Sequence, residues 1–64
     1  MTNREKIEKL QKKGYDYILQ NASYILMGIR GSGGFTSKAY IFNNDTLAIE
    51  NGYTGNIRYY RYTK

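Results

Sequence analysis

The chain has no cysteine, histidine, tryptophan or proline. Without cysteine there is no disulfide and no thiolate–metal site, and without histidine the other common zinc sites and the usual general base at neutral pH are missing. Carboxylates are scarce: Glu5, Glu8, Asp16, Asp45 and Glu50. Glu5 and Glu8 fall on the charged side of a predicted helix, and Asp45 belongs to an Asn-Asn-Asp turn that explains its presence. Asp45 and Glu50 could pair in principle, but so short a chain offers them no deep cleft. Asn43, Asn44, Asp45 and Glu50 lack the spacing of a calcium loop. The expectation is therefore a protein that is not an enzyme and carries no cofactor or metal. No apolar run approaches the ~20 residues of a membrane span. The N-terminus reads as a charged helix start and not as a signal peptide, so a cytoplasmic protein without membrane partners is expected.

With 64 residues, the chain is read as a single domain, one that buries only ~60% of its unfolded surface. Its stability should be small, ~3–5 kcal/mol without outside help. The remaining sources of stability are good packing, oligomerisation or a partner.

What is present is tyrosine and positive charge. Eight residues are tyrosine, and ten Lys/Arg against five Asp/Glu give a net charge of +5. Tyrosine combines a flat apolar body with a polar tip, a combination suited to binding surfaces. Net positive charge favours polyanions or acidic protein surfaces, although it also serves plain solubility.

The N-terminal segment carries helical periodicity. Thr2 and Glu5 have the spacing of a capping box. At 100° per residue, Ile7, Leu10, Gly14, Tyr17, Ile18 and Asn21 share one arc, while Glu5, Lys6, Lys9, Lys12, Lys13, Asp16 and Gln20 share the opposite one. One amphipathic helix from Asn3 to about Asn21 fits, with Glu5–Lys9 and Glu8–Lys12 as favourable i,i+4 pairs. Gly14 offers a second reading: Lys12-Lys13-Gly14 has the chemistry of a helix end, which would leave Tyr15–Leu19 as a strand. The continuous helix is preferred because Gly14 lies at the centre of the apolar arc.

Beyond Ser23 the signals are for strands: 24–30, 37–43, 46–50 and 56–63, separated by Gly31-Ser32-Gly33-Gly34, Asn43-Asn44-Asp45 and Asn51-Gly52-Tyr53-Thr54-Gly55. Short connections imply an antiparallel meander. The fold expected is α+β, an N-terminal helix packed on one face of a four-stranded antiparallel β-meander; the alternative is a shorter helix and a five-stranded meander. The glycine loop, flanked by Arg30 and Lys38, looks like a phosphate cradle. It lacks Walker spacing and a following helix, so it is read as a hairpin loop.

Period-two alternation then assigns two faces. Ile25, Met27, Ile29, Ala39, Ile41, Leu47, Ile49, Ile57 and Tyr59 should meet the helix. Tyr24, Leu26, Arg30, Lys38, Tyr40, Phe42, Arg58, Tyr60 and Tyr62 should occupy the other face, which one helix cannot cover. The candidate binding residues are Tyr24, Tyr40, Tyr60 and Tyr62 for stacking and Arg30, Lys38, Arg58 and Arg61 for charge. Arg61 departs from strict alternation, which sets it beside Tyr59. Interleaved rings and cations suit nucleic acid, or a protein that handles it. The same composition suits a protein interface, as in a phage- or mobile-element-type inhibitor or adaptor of anti-CRISPR-like kind, and it would equally serve a homodimer.

Overall fold

The computed structural model describes residues 2–61. Helix α1 spans Asn3–Lys12 and is followed by five strands: β1 Asp16–Gln20, β2 Tyr24–Gly31, β3 Gly34–Phe42, β4 Thr46–Asn51 and β5 Ile57–Arg61. The strands form one antiparallel sheet in the order β1-β2-β3-β4-β5. The α+β class is as expected, but the sheet has five strands where four were anticipated.

The helix begins as the sequence implies. The Thr2 hydroxyl accepts from the Glu5 backbone N–H, and the Glu5 carboxylate accepts from the Thr2 N–H. The backbone N–H of Thr2 first, and then its hydroxyl, which also donates to Glu5 Oε1, draw the Glu5 carboxyl below its ordinary value of 4.5.

The helix ends earlier than the continuous-helix reading placed it. Gly14 adopts φ +100°, a left-handed conformation that only glycine takes at little cost. Gly14 N–H donates to the Gln11 carbonyl and Tyr15 N–H to the Leu10 carbonyl, each at 3.0 Å. This pair of bonds is a Schellman cap, and the accompanying contact is Tyr15 with Leu10 in the core. Gly14 is thus the stop signal, not a smooth spot on a longer helix, and Tyr17 and Ile18 belong to β1. Their agreement with the helical arc was coincidental.

The core on the helix side consists of Leu10, Tyr15, Ile25, Met27, Ala39 and Ile41, with Ile7, Ile29, Leu47 and Ile49 packed around it. Lys6 corrects another expectation. Placed on the charged arc by its type, it is 2% exposed. Its position one turn before Leu10 turns its stem to the sheet, and its ammonium reaches Asp45 Oδ1 at 2.8 Å. A lysine can do this because its methylenes cover apolar surface while its tip finds a carboxylate. At the other end of the helix, the Tyr15 hydroxyl meets Ser37 Oγ at 2.8 Å.

Asparagines build the turns. Asn21 Oδ1 accepts from the N–H groups of Ser23 and Tyr24, Asn44 Oδ1 from Thr46, and Asn51 Oδ1 from Tyr53 and Thr54. The glycine-rich stretch is shorter as a loop than its composition suggests. Gly31 pairs with Gly34 across a two-residue turn, so both glycines belong to the strands. Among the described residues no helix is long and apolar enough to cross a membrane.

Candidate functional site: the open face of the sheet

Ladder register decides which side chains share the uncovered face. Tyr24 pairs with Phe42, Leu26 with Tyr40, Gly28 with Lys38 and Arg30 with Phe35. Tyr40 in turn pairs with Ala48, and Lys38 with Glu50. Residues opposite each other in a ladder point to the same side. Tyr24, Arg30, Lys38 and Tyr40 therefore gather on one face as the sequence implied.

The last strand reverses its expected orientation. Ala48 pairs with Tyr59, Glu50 with Ile57 and Thr46 with Arg61, whereas Leu47 pairs with Tyr60 and Ile49 with Arg58. Ile57, Tyr59 and Arg61 thus lie on the open face, and Arg58 and Tyr60 lie on the helix side. The cause is the closing pair of the preceding loop, where Asn51 N–H donates to the Asn56 carbonyl at 2.8 Å. That pair fixes the parity of everything after it, and a one-residue shift exchanges the faces. Hydrophobicity does not oppose the result, because every residue of β5 is exposed on both faces and Ile57 would gain no buried core by turning inward. Arg61, the residue least compatible with alternation, thereby joins the open face. Tyr62 lies outside the described residues.

Rings fill the centre of this face. Tyr24 meets Tyr40 edge-on at 5.3 Å and Phe42 at 5.8 Å, and Tyr40 and Phe42 stack at 6.4 Å. All three are half-buried by one another. The Tyr40 hydroxyl donates to Glu50 Oε1 at 2.9 Å. Burial first, and then this carboxylate, push the Tyr40 phenol above its ordinary 10.0.

Phe35 was not singled out from the sequence, yet it anchors the cationic end. Its ring lies over Gly28, where an added Cβ would stand 2.7 Å from Phe35 Cδ1 and 3.0 Å from Ile18 Cδ1. The Arg30 guanidinium and Lys38 ammonium each sit 5.7 Å from the Phe35 ring centre, within cation–π range. The signal that could have found it is the two-residue turn between Gly31 and Gly34, which sets Phe35 opposite Arg30. On this face Tyr59 is the freest ring at 68% exposure, with Ile57 and Leu19 partly exposed beside the cluster.

Chemically, the face offers an apolar aromatic centre, a rim of Arg30, Lys38 and Arg61, and the Asp16 and Glu50 carboxylates. Among the described residues no three Asp or Glu side chains converge to hold a metal. Comparison with known protein families, curated proteins and solved structures finds no match, so the functional reading rests on these residues.

Proposed function

We propose that this protein is a non-enzymatic binding module that engages another protein through the open face of its sheet. The observation that carries this reading is the self-packed cluster of Tyr24, Tyr40 and Phe42 on a face that no element among the described residues covers, rimmed by Arg30, Lys38 and Arg61. An aromatic centre with a charged margin is how interfaces that carry binding energy are built. The rim fits a partner whose apolar patch is bordered by acidic residues, an arrangement suited to an inhibitor or adaptor that occupies a site on another protein.

Two features favour a protein over nucleic acid. Tyr24, Tyr40 and Phe42 already occupy one another's ring surfaces, and Arg30 and Lys38 lie against Phe35, which among the described residues leaves Tyr59 as the open stacking surface. Glu50, paired with Lys38 across the ladder and bonded to the Tyr40 hydroxyl, would repel phosphates. The carboxylates favour the absence of catalysis: Glu5 caps the helix, Asp45 pairs with Lys6 and Glu50 holds the Tyr40 hydroxyl.

The test is capture of a partner with and without nuclease, then measurement of its affinity as a purified protein for wild type, Tyr59→Ala, Arg61→Glu and the helix-surface control Arg4→Glu. The expected result is a nuclease-resistant protein partner, with about a tenfold loss of affinity for Tyr59→Ala and for Arg61→Glu and little change for the control. Recovery of nucleic acid alone, with affinity for single strands falling steeply with salt, would replace this reading with the nucleic-acid one. Indifference to both open-face substitutions would overturn it.

A further inference from the structure

The helix side of the sheet is only half covered. A ten-residue helix is ~15 Å long and ~10 Å wide, whereas five strands span ~19 Å, so α1 packs over the middle strands, leaves the helix side of β4 half-buried and leaves β5 exposed. This partly covered strip is concave. Leu47 and Ile49 form its floor, Leu10 and Tyr15 one wall and Tyr60 the other, with Lys13 at the rim, enclosing about 420 Å³. Past Ile49 the same trough continues into a polar cleft of about 350 Å³ that holds Arg58 together with Ser37 and Thr54.

Charge identifies the occupant. Lys13 lies at the apolar part and Arg58 at the polar part, and among the described residues no carboxylate lines either one. We propose that this trough is a second docking site that takes a short acidic peptide segment of a partner protein. Two neighbouring aliphatic side chains would rest on Leu47 and Ile49, and flanking carboxylates would meet Lys13 and Arg58. The half-buried aliphatic floor gains from being covered, because apolar area removed from water is stabilising at ~25 cal/mol per Å². The flanking charges set orientation and suppress neutral or basic competitors.

Other occupants fit less well. A second copy docking through a two-fold axis would bring the same cations together, and three of this chain's five carboxylates, Glu5, Asp45 and Glu50, are already engaged within the fold. Nucleic acid would find Leu47 and Ile49 where it needs stacking surfaces. The site is independent of the open face, since Arg58 and Tyr60 point away from Tyr59 and Arg61. A chain with both surfaces is an adaptor able to bridge two partners.

The probe is a fluorescein-labelled peptide with two central leucines flanked on each side by glutamates. Two controls accompany it, one with lysines in place of the glutamates and one with serines in place of the leucines. Binding is read by anisotropy, and backbone amide shifts locate it. The expected result is saturable binding of the acidic leucine peptide alone, with shifts at Leu47, Ile49, Arg58 and Tyr60. The exposed pair Lys13→Glu/Arg58→Glu should weaken it about tenfold, whereas Arg61→Glu on the opposite face leaves it unchanged. No binding up to about 1 mM, equal binding of the lysine peptide, or shifts confined to the Tyr24–Tyr59 face would overturn the proposal. So would loss of the groove signals through self-association in the absence of peptide. Failure here leaves the open-face reading standing, because the two tests use different substitutions and different faces.

Discussion

The two halves of the sheet solve the same problem differently. Across β2 and β3, Met27 and Ala39 are fully buried and Ile25 and Ile41 nearly so, because α1 lies over them and the Tyr24–Tyr40–Phe42 cluster closes the opposite side. In β5 every described residue is exposed. Among the described residues no helix covers its inner side, and no strand pairs with its outer edge. The first half is stabilised by layers, the second by a ladder and a loop. Small domains have little core to share out, and here the share goes to the centre, which leaves the margin exposed.

The largest expected effect comes from breaking the support of the uncovered half. Gly52 N–H donates to the Thr36 carbonyl at 2.9 Å, a bond that ties the β4–β5 loop to β3. A Cβ at Gly52 would overlap the Phe35 carbonyl, and backbone cannot move aside as a side-chain tip does. Gly52→Ala should cost about 3 kcal/mol, most of the stability expected for a domain of this size. Thermal melting by circular dichroism would then show a drop in Tm of more than about 10 °C. A variant that melts like wild type would mean the loop is not the clamp of that half.

The covered half should respond more mildly. Gly14→Ala places a side chain at φ +100° with open space around it, so strain alone is expected, about 1 kcal/mol. Asparagine tolerates this conformation better, and Gly14→Asn should recover part of the loss in chemical denaturation. Equal stability of the alanine and asparagine variants would show that the left-handed cap does not control where the helix stops.

These two glycines also mark how far the sequence could be read. Thr2 and Glu5 announced the helix start because a capping box is local chemistry at fixed spacing. Alternation placed Tyr24, Arg30, Lys38 and Tyr40 correctly because β2 and β3 pair without interruption from Tyr24–Phe42 to Ile29–Ser37, the irregularity in their ladder falls beyond Lys38 at Thr36, and one face is buried. Gly14 was ambiguous because Tyr17 and Ile18 continued the helical arc by chance, and the choice between the two readings lay in tertiary packing of Tyr15 on Leu10. Ile57, Arg58, Tyr59 and Tyr60 were assigned to the wrong faces for a different reason, whereas Arg61, kept with the open face against strict alternation, lies there. Their parity depends on the Asn51–Asn56 closing pair, and composition does not reveal how many residues a loop will absorb. Lys6 was misplaced because its type outweighed its position beside Leu10. The trough at Leu47 and Ile49 was invisible while the helix was thought long enough to cover it.

The smallest effect tests whether the open face is sealed by its own rings. Tyr40 is half-buried and donates to Glu50, so its neutral form is favoured in the fold and its phenol titrates above the ordinary 10.0. A group whose value is raised on folding contributes stability that is complete below its unfolded value and is lost as pH rises through the folded one. Stability should therefore decline above pH 10, and ultraviolet titration should show one late-ionising phenol that is absent from Tyr40→Phe. That variant should lose about 0.5–1 kcal/mol at neutral pH, the net worth of a partly exposed hydrogen bond, while its ring keeps the contacts with Tyr24 and Phe42. If every tyrosine ionises together in the folded protein, the cluster is open to solvent and its rings are free to stack on a ligand. That result would shift the balance at this face back toward nucleic acid, because the self-packing of these rings is what favours a protein partner.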